Sequence, residues 1–218
     1  MEKEFKLYLV RHGETYLNKF KRMQGWSDTP LTEEGIRMAI QCGRKLSDIP
    51  FASVYTSDLR RTVETATIIM KQNMKGDRLK IEERADFREA FFGSLEGERI
   101  DNVAENIIEE HSLDYSGWDE LYRRVNIEKM IDWIRKLDCT GYAESTSDIW
   151  QRVETGLDEM VEESRADENI LLVCHGAIIK LIINRFSRGK QFTEEIKNAS
   201  VSILKYSKGS FRVLSYNQ

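Results

Sequence analysis

Two of the chain's three histidines, His12 and His175, each close a short apolar run and are each followed by glycine, in Leu7-Tyr8-Leu9-Val10-Arg11-His12-Gly13 and in Ile170-Leu171-Leu172-Val173-Cys174-His175-Gly176. One imidazole at the end of a strand is ordinarily a half-buried structural residue. Its repetition points to a shared site, because the carboxyl ends of parallel strands open on one edge of the sheet, where ligands bind. The small Gly13 and Gly176 would let a ligand approach the backbone. His111, in the polar stretch Glu109-Glu110-His111-Ser112, reads as a surface residue.

Arginines and a carboxyl group complete the set. Arg11 directly precedes His12, and Arg60-Arg61 open a helix after Ser57-Asp58. Guanidinium forks match phosphoryl oxygens in two-pronged fashion, and helix N-terminal amides favour anions. Arg60 reads as a solvated residue on the helix face, Arg61 as part of the site. Glu89 lies in Phe87-Arg88-Glu89-Ala90-Phe91-Phe92-Gly93-Ser94-Leu95-Glu96-Gly97, where burial against aromatic rings would raise its proton affinity as a general acid requires. Glu96 is an alternative acid in the same loop, and a salt bridge to Arg88 is the plain structural role for either. No G-x-x-x-x-G-K-[ST], H-E-x-x-H or G-x-S-x-G motif is present. Where a cysteine phosphatase loop would place its arginine, Cys174 is followed by Lys180. Three histidines so spaced do not make an ordinary zinc site. The chemistry left is phosphoryl transfer with histidine as the nucleophile.

Those side chains need a scaffold of strands. Thr32 before Glu33 and Glu34 is an N-cap signal, and Ile36, Ala39, Ile40, Gly43 and Leu46 follow at helical spacing. Residues 52–56 read as a strand, with Ser57-Asp58 able to cap a helix whose buried stripe is Val63, Ala66, Ile69 and Met70. Residues 169–174 read as a third strand, backed by an apolar helix over 177–186. This alternation predicts an α/β fold, a mainly parallel sheet covered by helices on both faces. Residues 201–206 and 211–214, split by Lys208-Gly209, predict an antiparallel hairpin at the sheet's edge, with Val201 to Leu204 covered. From about residue 98 to 140 the pattern is helical without strands, with Leu121, Val125, Ile131 and Ile134 as a buried stripe. It reads as a helical insertion over the active site within one domain spanning residues 1–218.

Composition sets the outer limits. The chain has 218 residues and is 40% hydrophobic, enough for a real core. Thirty-three basic against 37 acidic side chains leave a net charge of −4, so no general electrostatic pull toward nucleic acid or an anionic membrane is expected. The alternating charges of Met1-Glu2-Lys3-Glu4-Phe5-Lys6 lack the apolar core of a signal peptide, and a soluble cytoplasmic protein is expected. Cys42, Cys139 and Cys174 are too few and scattered for a disulfide framework and read as reduced structural residues.

At these residues the sequence resembles the histidine phosphatase superfamily, also called the phosphoglycerate mutase-like family. The matching text is Leu9-Val10-Arg11-His12-Gly13-Glu14-Thr15 with Asn18, then Gln24-Gly25 with Asp28-Thr29-Pro30-Leu31-Thr32-Glu33-Glu34-Gly35. It continues through Ser57-Asp58-Leu59-Arg60-Arg61-Thr62 with Thr65-Ala66, Glu89 with Phe92-Gly93 and Glu96-Gly97, and Val173-Cys174-His175-Gly176. The resemblance implies that His12 becomes phosphohistidine, that Arg11, Arg61 and His175 hold the phosphoryl oxygens, and that Glu89 donates the proton. It implies a phosphate contact for Asn18, a substrate loop at Gln24 and Gly25, and no metal or other cofactor. For His12 to attack through an unprotonated nitrogen, its other nitrogen should donate to a carbonyl near Gly13.

Leu17 stands before Asn18 where the glycolytic mutases carry tryptophan, which favours hydrolysis of a small phosphorylated metabolite. Mutase-type transfer and a non-catalytic phospho-ligand module are the alternatives. Phe91, Phe92, Tyr115, Trp118, Tyr122 and Trp133, with Arg123-Arg124, could form a lid favouring an organic phosphate with an apolar or ring portion, roughly half of them serving simply as core.

Overall fold

The two apolar runs that end in histidine become neighbouring strands. In the computed structural model, which describes residues 3–190 and 192–218, these are β1 (Phe5–Arg11) and β4 (Asn169–Cys174), paired in parallel with Arg11 opposite Cys174. Met1 and Glu2 of the charge-alternating opening lie outside the described residues. The other strands are β2 (Phe51–Thr56), β3 (Ile81–Glu83), β5 (Val201–Ser207) and β6 (Ser210–Ser215). Their order is β3-β2-β4-β1-β5-β6, with β3, β2, β4 and β1 parallel and β5 and β6 antiparallel.

Alternation along β1 shows why both faces need cover. Leu7 and Leu9 enter one core, while Tyr8 and Val10 enter the other. Leu7 and Leu9 are fully buried, each stabilising the fold by about 2 kcal/mol from apolar burial. The second core is covered by α2 (Glu33–Lys45) and α3 (Arg60–Met70). The first is covered by α7 (Thr146–Glu163) and α8 (Gly176–Arg185), joined by α4 (Ile100–Glu110), α5 (Trp118–Arg124) and α6 (Ile127–Leu137); a short α1 (Tyr16–Lys19) follows β1.

Local signals were uneven. Thr32 caps α2 by accepting from Gly35 N, as its position predicts. The Lys208-Gly209 turn has φ of 53° and 75°, the paired left-handed conformation that suits a two-residue hairpin. β5 lies between β1 and β6, so the Val201 to Leu204 segment is covered. The expected cap of α3 fails: Leu59 holds the N-cap position without a side-chain bond, because Ser57 and Asp58 are drawn to His175 and Arg88. The stripe read across 121–134 is divided between α5 and α6, with Val125 extended between them. His111 is not plain surface; its half-buried ring stacks on Trp133 at 4.0 Å between centroids.

Candidate active site

Parallel pairing of β1 and β4 delivers His12 and His175 to the same sheet edge. Their ring centroids are 5.3 Å apart, and His12 N donates to Cys174 O at 3.0 Å. His12 Nδ1 lies 2.8 Å from Gly13 O. A carbonyl only accepts, so Nδ1 carries the proton and Nε2 keeps its lone pair. This is the tautomer the sequence argument requires. Burial, with the Arg61 and Arg11 guanidiniums nearby, holds His12 well below its ordinary pKa, so the ring is neutral and nucleophilic.

His175 is engaged differently from the expectation. Its Nδ1 accepts from Arg61 Nη2 at 3.0 Å, and Nε2 therefore donates to Ser57 Oγ at 2.8 Å. With both nitrogens occupied and the ring fully buried, His175 does not line the cavity. The resemblance implies direct contact with phosphoryl oxygens. Here the imidazole is held between Ser57 and Arg61.

Arg61 is also fully buried behind the cavity wall. Its guanidinium donates to Ser27 O, Asp28 Oδ1 and Gly25 O at 3.0, 3.1 and 2.6 Å, and Nε has no acceptor. Its charge nevertheless acts on both His12 and Glu89. Arg11 lines the cavity; Nη1 pairs with Glu195 at 3.1 Å and with Ile196 O, while its buried Nε also lacks an acceptor. The orphaned Nε–H of cavity-lining Arg11 beside the imidazole, with the Arg61 charge behind it, suits an anion. Arg60, by contrast, is exposed and paired with Glu64.

Glu89 is brought to the start of α8, where its two oxygens accept from Ala90 N and Ala177 N, both at 3.1 Å. Burial raises its pKa, opposed by those amides and by the two arginines. A carboxyl so placed holds a proton to higher pH than an ordinary glutamate. Glu96, the alternative acid, is committed elsewhere. It accepts from the amides of Gly25, Trp26, Ser27 and Phe92 and fastens the 25–27 loop. A Cβ on Gly25 would lie 2.2 Å from both Ala90 O and Glu96 Oε1, so only glycine fits there. Arg88 pairs with neither acid but with Asp58.

Asn18 and Gln24 line the cavity, linked through Thr15, whose Oγ1 donates to Gln24 Oε1 at 2.6 Å. Sequence reasoning missed Asn198, which donates to His12 O at 3.0 Å and to Asn18 Oδ1 at 3.3 Å. It also missed Arg152, which holds the Glu89 backbone, while Thr65, quoted in the resemblance without a role, accepts from Gly13 N. Neither Asn198 nor Arg152 carries a local motif that would mark it. Of the predicted set, the cavity of about 220 Å³ is lined by Arg11, His12, Asn18, Gln24 and Glu89; Arg61, His175 and Gly25 lie behind its wall. A larger groove of about 720 Å³ beside β6 contains none of them. Of the six candidate lid aromatics, Phe92, Trp118 and Tyr122 line the cavity, whereas Phe91, Tyr115 and Trp133 do not.

The family model of the histidine phosphatase superfamily (branch 1) matches residues 7–218. This chain belongs to that superfamily. It is similar to a phosphoglycerate mutase from Bacillus anthracis, at 34% identity and a TM-score of 0.91 over 100% of this chain and 94% of that one. It is 30% identical to fructose-2,6-bisphosphatase TIGAR of Xenopus laevis, covering 87% of this chain and 78% of that protein. Identity to the probable phosphoglycerate mutase GpmB of Salmonella choleraesuis is also 30%, over 92% and 84% of the two chains. Superfamily relatives thus carry both phosphatase and mutase names. Among the described residues no helix is long and apolar enough to cross a membrane.

Proposed function

We propose that the protein is a phosphomonoester hydrolase that works without a metal, through a phosphohistidine at His12, on a small phosphorylated metabolite. The observation that carries this reading is the tautomer of His12, set by Gly13 O at 2.8 Å, which leaves Nε2 as the uncommitted nitrogen of a cavity-lining residue. Nε2 attacks phosphorus, and the ester oxygen leaves with the proton of Glu89. Water then attacks the phosphohistidine, returning a proton to Glu89 and releasing phosphate.

Phosphoryl transfer needs positioning and charge more than covalent chemistry. Arg11 meets the phosphoryl oxygens, Asn18 assists, and Gln24 with Gly25 shapes the neighbouring loop. Arg61 supplies positive charge from behind, and His175 acts as a positioning residue for Arg61. Preorganised donors of this kind are worth on the order of 10² to 10³ in rate.

The test is hydrolysis of p-nitrophenyl phosphate in excess EDTA, with wild type beside His12→Ala. Turnover that survives chelation and disappears in the variant is expected. Wild-type activity abolished by chelation, or an active His12→Ala protein, overturns the reading. The mutase-named relatives favour phosphoryl transfer between hydroxyls as the second reading, checked in a coupled 3-phosphoglycerate assay.

A further inference from the structure

The groups that act on phosphorus account for one part of the cavity. Another part is apolar. Ile127, Met130, Ile131 and Ile134 recur at the three-and-four spacing that puts them on one face of α6. That face, with Trp118 and Tyr122 of α5, lines the same cavity as Arg11, His12 and Glu89. The four α6 side chains are each only 2–3% exposed, so they form a dry wall. The half-buried Trp118 extends it toward the opening.

Charge is distributed the other way. Among the described residues lining the cavity, the cations besides Arg11 are Lys21 and Arg22, both exposed, and Arg22 is held to Gly97 O at 2.7 Å. Glu14 and Glu195 line it too. A second anionic group on a substrate would therefore meet two carboxylates, one of them paired with Arg11, and two exposed cations, Lys21 and the tethered Arg22, with no buried guanidinium aimed at it. An apolar group would displace water from the α6 wall and gain its burial free energy.

We propose that the cavity selects phosphomonoesters of apolar alcohols, arylalkyl or branched-chain, over esters whose alcohol carries a second anion. This rests on the hydrolase reading of the same site. In the step, the P–O bond to the alcohol breaks as the Nε2–P bond of His12 forms, and Glu89 protonates the departing alkoxide, which leaves as the neutral alcohol against α6. Water then cleaves the N–P bond.

The experiment compares kcat/KM for benzyl phosphate and 3-methylbutyl phosphate with that for glycerol 3-phosphate, 3-phosphoglycerate and fructose 2,6-bisphosphate. The esters other than fructose 2,6-bisphosphate are primary alkyl phosphates with alkoxide leaving groups, so their intrinsic reactivity is similar; the anomeric 2-phosphate of fructose 2,6-bisphosphate is intrinsically more labile, which biases the comparison against the proposal. A single methylene in an apolar pocket is worth on the order of tenfold or more, so the apolar esters should lead by at least about tenfold. Ile131→Asn, checked for folding by circular dichroism, should shrink that ratio several-fold; Met130→Ala is the second variant, and the wild-type ratio decides alone if neither folds. His12-dependent turnover with no preference, or with preference for the esters whose alcohol carries a second anion, overturns the selectivity and leaves the hydrolase reading standing. Absence of turnover on every ester removes both.

Discussion

Arg152 and Glu144 pair through two parallel contacts, Nε to Oε1 at 2.8 Å and Nη2 to Oε2 at 2.9 Å, behind the loop that carries Glu89. The same guanidinium donates to the carbonyls of Asp86, Arg88 and Glu89 at 2.7, 2.6 and 3.0 Å. Glu144 in turn accepts from Phe91 N at 2.9 Å. Arg152 thus fixes the backbone on which the candidate acid is mounted and does not itself line the cavity.

Replacing Arg152 with methionine should separate positioning from binding. Misplacing a reacting group by about 1 Å can cost on the order of 100-fold in rate, so kcat should fall at least tenfold by that measure while KM changes little. Breaking a largely buried ion pair also costs about 3 kcal/mol of stability, read as a lower Tm. A variant with normal kcat and only a lower Tm would reduce Arg152 to a structural strut.

The pH profile follows from two opposite shifts. His12 must be neutral to attack, and its pKa is pushed below the ordinary 6.5, so the acid limb of kcat/KM should lie below that value. Glu89 must be protonated to donate, and its pKa is pushed above the ordinary 4.5, so the alkaline limb should lie above that value. A maximum on the mildly acidic side is expected. Glu89→Gln should abolish the alkaline limb and lower the rate, whereas Glu96→Gln should weaken the 25–27 loop and leave the limb in place. If Glu96→Gln moves the limb instead, the assignment of the acid is wrong.

Lys180 offers a stability test with a definite sign. Its buried ammonium donates to Tyr122 O at 2.9 Å and Thr193 O at 3.2 Å, and burial lowers its pKa to about 7 from 10.5, with Glu195 opposing. Between those values the unfolded chain binds a proton that the folded chain does not, so stability rises with pH across that window. The Tm difference between wild type and Lys180→Met should grow in favour of wild type as pH is raised from neutral toward 10.5, and stay flat below neutral. A flat difference throughout would mean that the folded lysine titrates normally.

Thiol chemistry should be silent. Cys174 and Cys42 are buried, and burial pushes both thiols up, Cys42 to about 12. Cys139 is exposed and does not line the cavity. Iodoacetamide should alkylate Cys139 in the folded protein without loss of activity. Rapid inactivation that phosphate prevents would show Cys174 to be reactive.

What the sequence made legible was what short-range rules decide. Strand–helix alternation, the Thr32 cap, the Lys208-Gly209 turn and the paired His-Gly motifs all lie within a few residues of what they specify. The motif-bearing residues of the candidate site were readable for the same reason, but their division into cavity wall and buried backing was not, since Arg61 and His175 depend on Ser27, Asp28 and Ser57 from other segments. Asn198, Arg152 and Lys180 were invisible because their partners are distant in sequence. Helix α7 was legible and went unread: Ser145 and Asp148 form its capping box, and Ile149, Val153, Leu157 and Met160 make its stripe. The three-residue β3 is too short to carry a period at all.

The pairing of β1 with β4 makes turnover a reporter of folding. His12 and His175 meet only when β4 has entered between β2 and β1, a contact between segments far apart in the chain and thus slow to form. A one-residue slip of β4 would send Leu171 and Val173 to the opposite core and carry His175 out of reach of Arg61. Helices can form early, and tryptophan signals from Trp118, Trp133 and Trp150 in α5, α6 and α7 can recover with them. Regained activity marks the moment when the centre of the sheet closes in register.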